Sequence, residues 1–220
     1  MSKQFWIALF VIAALLVGIV VVTNHNKGTS SSSTGQPTHH VEGNDTKHVT
    51  LIEYGDYECP ICAEFAPTVK QVVATYINEI QFQFRNLPLT QIHPNAFAAA
   101  RAAEAASDMG QFWQMNNLLY ENQNAWVSSS NPLSFFDSYA GQLGLNLTKF
   151  NKYYNSDQVN GAINADINAF DQTGDEMATP TYILDGTTLN NENLIGSNGS
   201  PSVTAFSNII NAEIAKQNPS

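Results

Sequence analysis

The stretch Glu53-Tyr54-Gly55-Asp56-Tyr57-Glu58-Cys59-Pro60-Ile61-Cys62-Ala63-Glu64-Phe65 holds both cysteines of the 220-residue chain, separated by two residues. Two thiols at that spacing make a redox pair possible; a small structural disulfide or half of a zinc site uses the same residues. Before Cys59, the residues Val49, Leu51, Ile52 and Tyr54 form an extended apolar run, and after it Phe65, Val69, Val72 and Val73 recur at helical spacing. Cys59 is therefore expected where the loop of a strand turns into a helix.

That position favours reactivity. A thiol at a helix N-terminus faces free backbone N–H groups and the positive end of the helix dipole, which both stabilise thiolate. Pro60 suits the first helical turn, where its missing N–H costs nothing. Cys62, one turn on, points back toward Cys59 from a more buried place. This makes Cys59 the attacking and exposed thiol and Cys62 the resolving one. A zinc site needs two further ligands, and His48 and His93 lack ligand-like spacing, so no metal is expected. Asp56 and Glu58 read as exposed loop acids whose charge opposes thiolate formation a little. Glu53 has two readings: a core-facing carboxyl with a raised pKa that shuttles the proton of Cys62, or a solvent-facing strand residue.

Working outward toward the N-terminus, Phe5 to Val22 is apolar except for Gly18, long enough to span a hydrocarbon core. The exit sequence has no Ala-x-Ala pattern, which fits a retained transmembrane anchor over about 5–23, behind a cytoplasmic N-terminus at 1–4. Residues 24–47 read as a flexible linker around the Ser/Gly tract Gly28–Gly35, with His39-His40 incidental. Residues 48–218 are of single-domain size. A cysteine pair behind an anchor fits an oxidising, extracytoplasmic face of the cell membrane. With 9 Lys+Arg against 19 Asp+Glu and a net charge of −10, the chain repels phosphate backbones, and nucleic-acid binding is not expected.

Toward the C-terminus, a helix to about Asn78 is followed by Ile80-Gln81-Phe82-Gln83-Phe84-Arg85-Asn86, which alternates as a strand does. Strand, helix and strand make a βαβ unit with parallel pairing. From about 92 to 172 the pattern is helical, beginning with the Ala-rich Ala96–Ala106. Its aromatics Phe112, Trp113, Tyr120, Trp126, Phe135, Phe136 and Tyr139 read as core. Thr181–Asp185 reads as a strand, Gly186 as a turn and 187–195 as an antiparallel partner that Asn190–Asn193 interrupts. A terminal helix carries Val203, Phe206, Ile209, Ile210 and Ile214. The expected class is α/β, a βαβ half and a ββα half with a helical insert between them.

Cys59-Pro60-Ile61-Cys62 at a strand-to-helix turn, Thr179-Pro180 directly before the later strand, Glu53 six residues ahead of Cys59, and the insert together resemble the DsbA-like thiol–disulfide oxidoreductases of the thioredoxin superfamily. The resemblance spans about 48–218 and implies the thioredoxin fold, a central mixed sheet flanked by helices. It also implies that Pro180 is cis and faces the active pair, and that Thr179 offers its backbone to an extended substrate segment. Pro60 and Ile61 complete the implied substrate-contacting set. In this family the acid matching Glu53 serves the buried cysteine. One departure bears on chemistry: strongly oxidising members carry His where this chain has Ile61. Cys59 is thus expected to have a pKa below the free value but less depressed than in those members.

The resemblance implies an extracytoplasmic oxidase that passes disulfides from Cys59–Cys62 to reduced or unfolded exported proteins. No cofactor is expected beyond the redox-active disulfide. A membrane redox partner reoxidises the pair, and the protein is expected to be a monomer. Two rivals remain: a reductase or isomerase kept reduced by a membrane electron donor, and a tethered binding domain whose disulfide is structural.

Overall fold

A computed structural model of the chain describes residues 35–218. The expected N-terminus at 1–4, the anchor at 5–23 and the linker as far as 34 lie outside the described residues. Among the described residues no helix is long and apolar enough to cross a membrane.

The chain runs through β1 (His40–Glu42), β2 (Thr50–Gly55), α1 (Pro60–Tyr76) and β3 (Gln81–Asn86). β2 and β3 pair in parallel, Glu53 opposite Phe84, as the strand–helix–strand order predicts. The insert comprises α2 (Ala96–Ser107), α3 (Phe112–Glu121), α4 (Gln123–Trp126), α5 (Leu133–Gln142), α6 (Leu147–Tyr154) and α7 (Asp157–Asp171). β4 (Thr181–Leu184) then returns antiparallel to β2, placing Tyr182 opposite Glu53. β5 (Thr187–Thr188), a 3-10 turn over Asn191–Leu194, and α8 (Val203–Gln217) close the chain. The sheet order β1-β3-β2-β4-β5 is mixed and has β2 at its centre. This is the expected α/β arrangement of two halves around a helical insert.

The alanines of α2 explain how the insert packs. Ala99, Ala102, Ala103 and Ala106 are fully buried, and side chains this small let α3, α6 and α7 approach closely. Phe112, Tyr120, Trp126, Phe136 and Tyr139 are buried, and Trp113 and Phe135 pack against the same core. Trp126 donates its indole N–H to Leu119 O at 3.0 Å and meets Phe136 edge-on at 5.4 Å, so its polar atom is satisfied. Between the sheet, α1 and α8, the rings of Phe65, Tyr182 and Phe206 form a second aromatic contact.

Two expectations need correction. The linker does not extend to residue 47. His40–Glu42 pair antiparallel with β3, and the Thr38 N–H and hydroxyl both donate to the Asp166 carboxylate at 2.7 Å. Gln83 donates to Thr38 O at 3.0 Å, and the His40 ring stacks on Phe112 at 3.5 Å while meeting Glu104 at 2.7 Å. The segment is held by polar groups contributed by distant elements, so its own composition resembles a tether. The strand expected over 187–195 is only Thr187–Thr188. The Asn190 side chain accepts from Glu192 N–H at 2.9 Å and starts the 3-10 turn, a local bond that competes with ladder pairing.

Candidate active site

β2 ends at Gly55, and four residues later Cys59 occupies the N-cap of α1, in extended conformation, with Pro60 following in the first turn. The Cys59 N–H donates to Asp56 O at 3.1 Å, which closes the turn. No side chain caps α1, leaving its first amides directed at the Cys59 sulfur. Both cysteines are free thiols; Cys62 is fully buried, and Cys59, expected to be exposed, is only 6 % exposed because it packs into the core beside Cys62. The thiol hydrogen bond from Cys62 lowers the Cys59 pKa most, burial opposes it, and the Cys62 and Ile61 amides with Thr179 add to the lowering, for a net value of about 6. Burial, together with the hydrogen bond and charge of Cys59, pushes Cys62 well above the ordinary thiol range. The two thiols are thus chemically unequal, Cys59 being the more readily ionised.

Thr179 and Pro180 arrive from the start of β4, and the peptide bond between them is cis. In the thiol form Cys59 Sγ donates to Thr179 O at 3.4 Å. The Thr179 hydroxyl is buried with no hydrogen-bond partner among the described residues. Beside Cys59, Pro60 is exposed and Ile61 is 48 % exposed, so the face next to the sulfur is open and apolar.

Glu53 faces the core. It is 3 % exposed, and burial raises its carboxyl to about 8, with the Tyr182 hydroxyl lowering it a little. That hydroxyl makes no well-formed hydrogen bond to it: Glu53 Oε1 and Tyr182 OH both lack partners among the described residues. Glu53 also borders a cavity of about 380 Å³ between α1 and α3, lined by Val69, Lys70, Trp113 and Tyr120 among others. Burial thus favours the protonated form of Glu53, and its charged form raises Cys62.

Asp56 and Glu58, expected to be exposed, are 1 % and 8 % exposed. Asp56 Oδ1 accepts from Glu58 N–H at 2.8 Å, while Oδ2 accepts from Leu89 N–H at 2.9 Å and meets His93 Nδ1 at 2.7 Å. Glu58 Oε2 accepts from Asn95 N–H at 2.6 Å. Donors supplied after β3 make it possible to bury these acids, and nothing adjacent in sequence announces them. Gln123, which sequence reasoning missed, donates from α4 to Tyr57 O at 2.8 Å and Cys59 O at 2.9 Å. His48 is exposed, 3.9 Å from Asp45. Among the described residues no three His, Cys, Asp or Glu side chains converge as metal ligands.

A family model described as Thioredoxin matches residues 35–211. The chain belongs to the thioredoxin family. The match begins ahead of β1, in agreement with that strand being part of the domain. Among solved structures, this thioredoxin-family chain resembles oxidised BdbD from Bacillus subtilis, with 21% identity, a TM-score of 0.66, and coverage of 82% of this chain and 97% of that one. It also resembles alpha-DsbA1 from Wolbachia pipientis, with 19% identity, a TM-score of 0.66, and coverage of 86% and 98%. At these identities the likeness is one of fold. A curated relative, the Na(+)/H(+) antiporter NhaA 3 of Salinispora tropica, is 36% identical over 147 residues, which is 67% of this chain and 22% of that protein. The chain thus spans only about a fifth of the length of the antiporters that it matches.

Proposed function

We propose that this chain is a thiol–disulfide oxidoreductase that oxidises dithiols of exported proteins through Cys59 and Cys62. The observation that carries the reading is the unequal pair at the start of α1, with Cys59 near 6 beside the Thr179 backbone and Cys62 buried and raised. In the disulfide state, a substrate thiolate attacks Cys59 Sγ; the Cys59–Cys62 bond breaks as the mixed disulfide forms. Cys62 leaves as thiolate and takes a proton from the Glu53 carboxyl. A second substrate thiolate attacks the substrate sulfur of the mixed disulfide and releases Cys59 as thiolate. Two electrons pass from the substrate dithiol to the enzyme pair. Thr179 O and the cis Pro180 offer an edge to an extended substrate segment, and exposed Pro60 and Ile61 supply apolar contact.

Turnover needs an oxidant, and we assign that role to a redox partner in the membrane, with residues 5–23 as the tether and the domain working as a monomer on the extracytoplasmic side. The apolar run Phe5–Val22 and the redox pair support this placement. The ion exchange named for the antiporter relatives is not carried over. Oxidative refolding of a reduced multi-cysteine protein tests the function: the oxidised chain should accelerate it and Cys59→Ser should not. Acceleration by Cys59→Ser, or none by the unaltered chain, defeats the proposal.

A further inference from the structure

Asp56 touches the redox loop through its backbone and one carboxylate oxygen, and the other oxygen reaches out of it. Its backbone carbonyl accepts from Cys59 N–H, and its backbone N–H stabilises charge on Cys62. Its side chain is 0% exposed and holds Glu58 N–H on one oxygen, and Leu89 N–H and His93 on the other. His93 closes the arrangement from the connection between β3 and α2, with its side chain 16% exposed. Glu58, fixed on Asn95 N–H, is the other charged group facing His93. The carboxylate therefore ties the loop that carries Cys59 to a connection more than thirty residues later.

We propose that Asp56, held by His93, is a positioning residue of the exchange reaction: the pair clamps the redox loop so that the Cys59 sulfur lies against the backbone amides at the start of α1 and the Cys62 sulfur against the amide of Asp56. The inference rests on the oxidoreductase reading for its chemistry. The clamp acts through geometry. A negative charge three residues from Cys59 disfavours its thiolate, so charge and position have opposite signs. Without the carboxylate, the sulfur gains electrostatically and loses its fixed donors. Positioning requires the loss to win.

The experiment is a titration of thiolate absorbance in the reduced full chain, comparing the unaltered protein with Asp56→Asn, Asp56→Glu and His93→Gln. Positioning predicts a Cys59 midpoint raised by about one unit in all three, with the pH profile of iodoacetamide alkylation moving by the same amount. A carboxylate acting only through its charge predicts a lower midpoint in Asp56→Asn and none of the rise in Asp56→Glu. A purely structural role lowers the melting temperature and leaves the midpoint in place. Either of those results overturns the proposal. If Asp56→Asn does not fold, the other two variants decide: a rise in both supports the clamp, and a rise in His93→Gln alone overturns it. The titration uses no substrate, so its failure is separate from failure of the refolding assay on the unaltered chain.

Discussion

The Cys59 thiol donates to the Thr179 carbonyl across 3.4 Å, joining the start of α1 to a residue 120 positions later. Ionisation of Cys59 removes that donor and frees the carbonyl, so the group offered to a substrate backbone is released as the sulfur becomes reactive. The depressed thiol leads to the first prediction.

In the reduced chain, thiolate absorbance should titrate with a midpoint of about 6. Because the folded pKa lies below the ordinary value of 9.0, this group stabilises the reduced fold fully above 9 and loses that contribution as pH falls through 6. Comparing denaturant unfolding of reduced wild type and Cys59→Ser from pH 5 to 9 isolates the effect, on the order of a few kcal/mol. A stabilised thiolate also makes the couple more oxidising than a thioredoxin-like value of about −270 mV. A potential at or below that value indicates a reductase.

Glu53 works in the opposite sense. Raised from 4.5 to about 8, it keeps its proton in the folded state while the unfolded chain ionises, so its contribution is complete below 4.5 and lost as pH rises through 8. Glu53→Gln should flatten that decline and raise the melting temperature at pH 8. It should also slow release of Cys62 by at least about tenfold in stopped-flow exchange, since a positioned acid contributes ~10²-fold or more.

The Thr179 hydroxyl lies buried beside Cys59 without a hydrogen-bond partner among the described residues. Thr179→Val should raise the Cys59 midpoint by about half a unit and change stability by less than about 1 kcal/mol, because the hydroxyl now lost was unsatisfied. Thiolate titration and thermal melting check the two parts.

Gly55 has no room for a side chain. A Cβ there would lie 2.5 Å from the Phe84 ring and 2.8 Å from the Tyr120 hydroxyl, with both rings buried. Gly55→Ala should cost about 1–3 kcal/mol through overpacking, measurable as a lower denaturant midpoint with an unchanged slope.

Asp166 anchors the N-terminal strand. Its carboxylate takes the Thr38 N–H and hydroxyl and the Asn86 N–H, at 2.7, 2.7 and 2.9 Å. Asp166→Ala should destabilise the domain by about 3–5 kcal/mol by stranding these buried donors, and should expose the β3 edge to hydrogen exchange. Unchanged protection of the β3 amides would return the segment before residue 48 to the status of a tether.

The sequence by itself determined the βαβ and ββα halves, the insert between them and the places of Cys59, Pro60 and Thr179-Pro180. These follow from periodicity, alanine content and turn residues, which act between neighbours in the chain. It also carried the resemblance that sets Pro180 against the cysteine pair. Only the tertiary structure decided the rest. Asp56 and Glu58 read as solvent-facing because local composition cannot show that Leu89, His93 and Asn95 arrive to satisfy them. Glu53 had two readings because a strand residue alternates between faces, and burial chose one. Gln123 and the strand His40–Glu42 were invisible because their partners lie 64 and about 40 residues away. A buried polar group costs free energy until a distant chain segment supplies its hydrogen bond, and that supply is settled only when the fold closes.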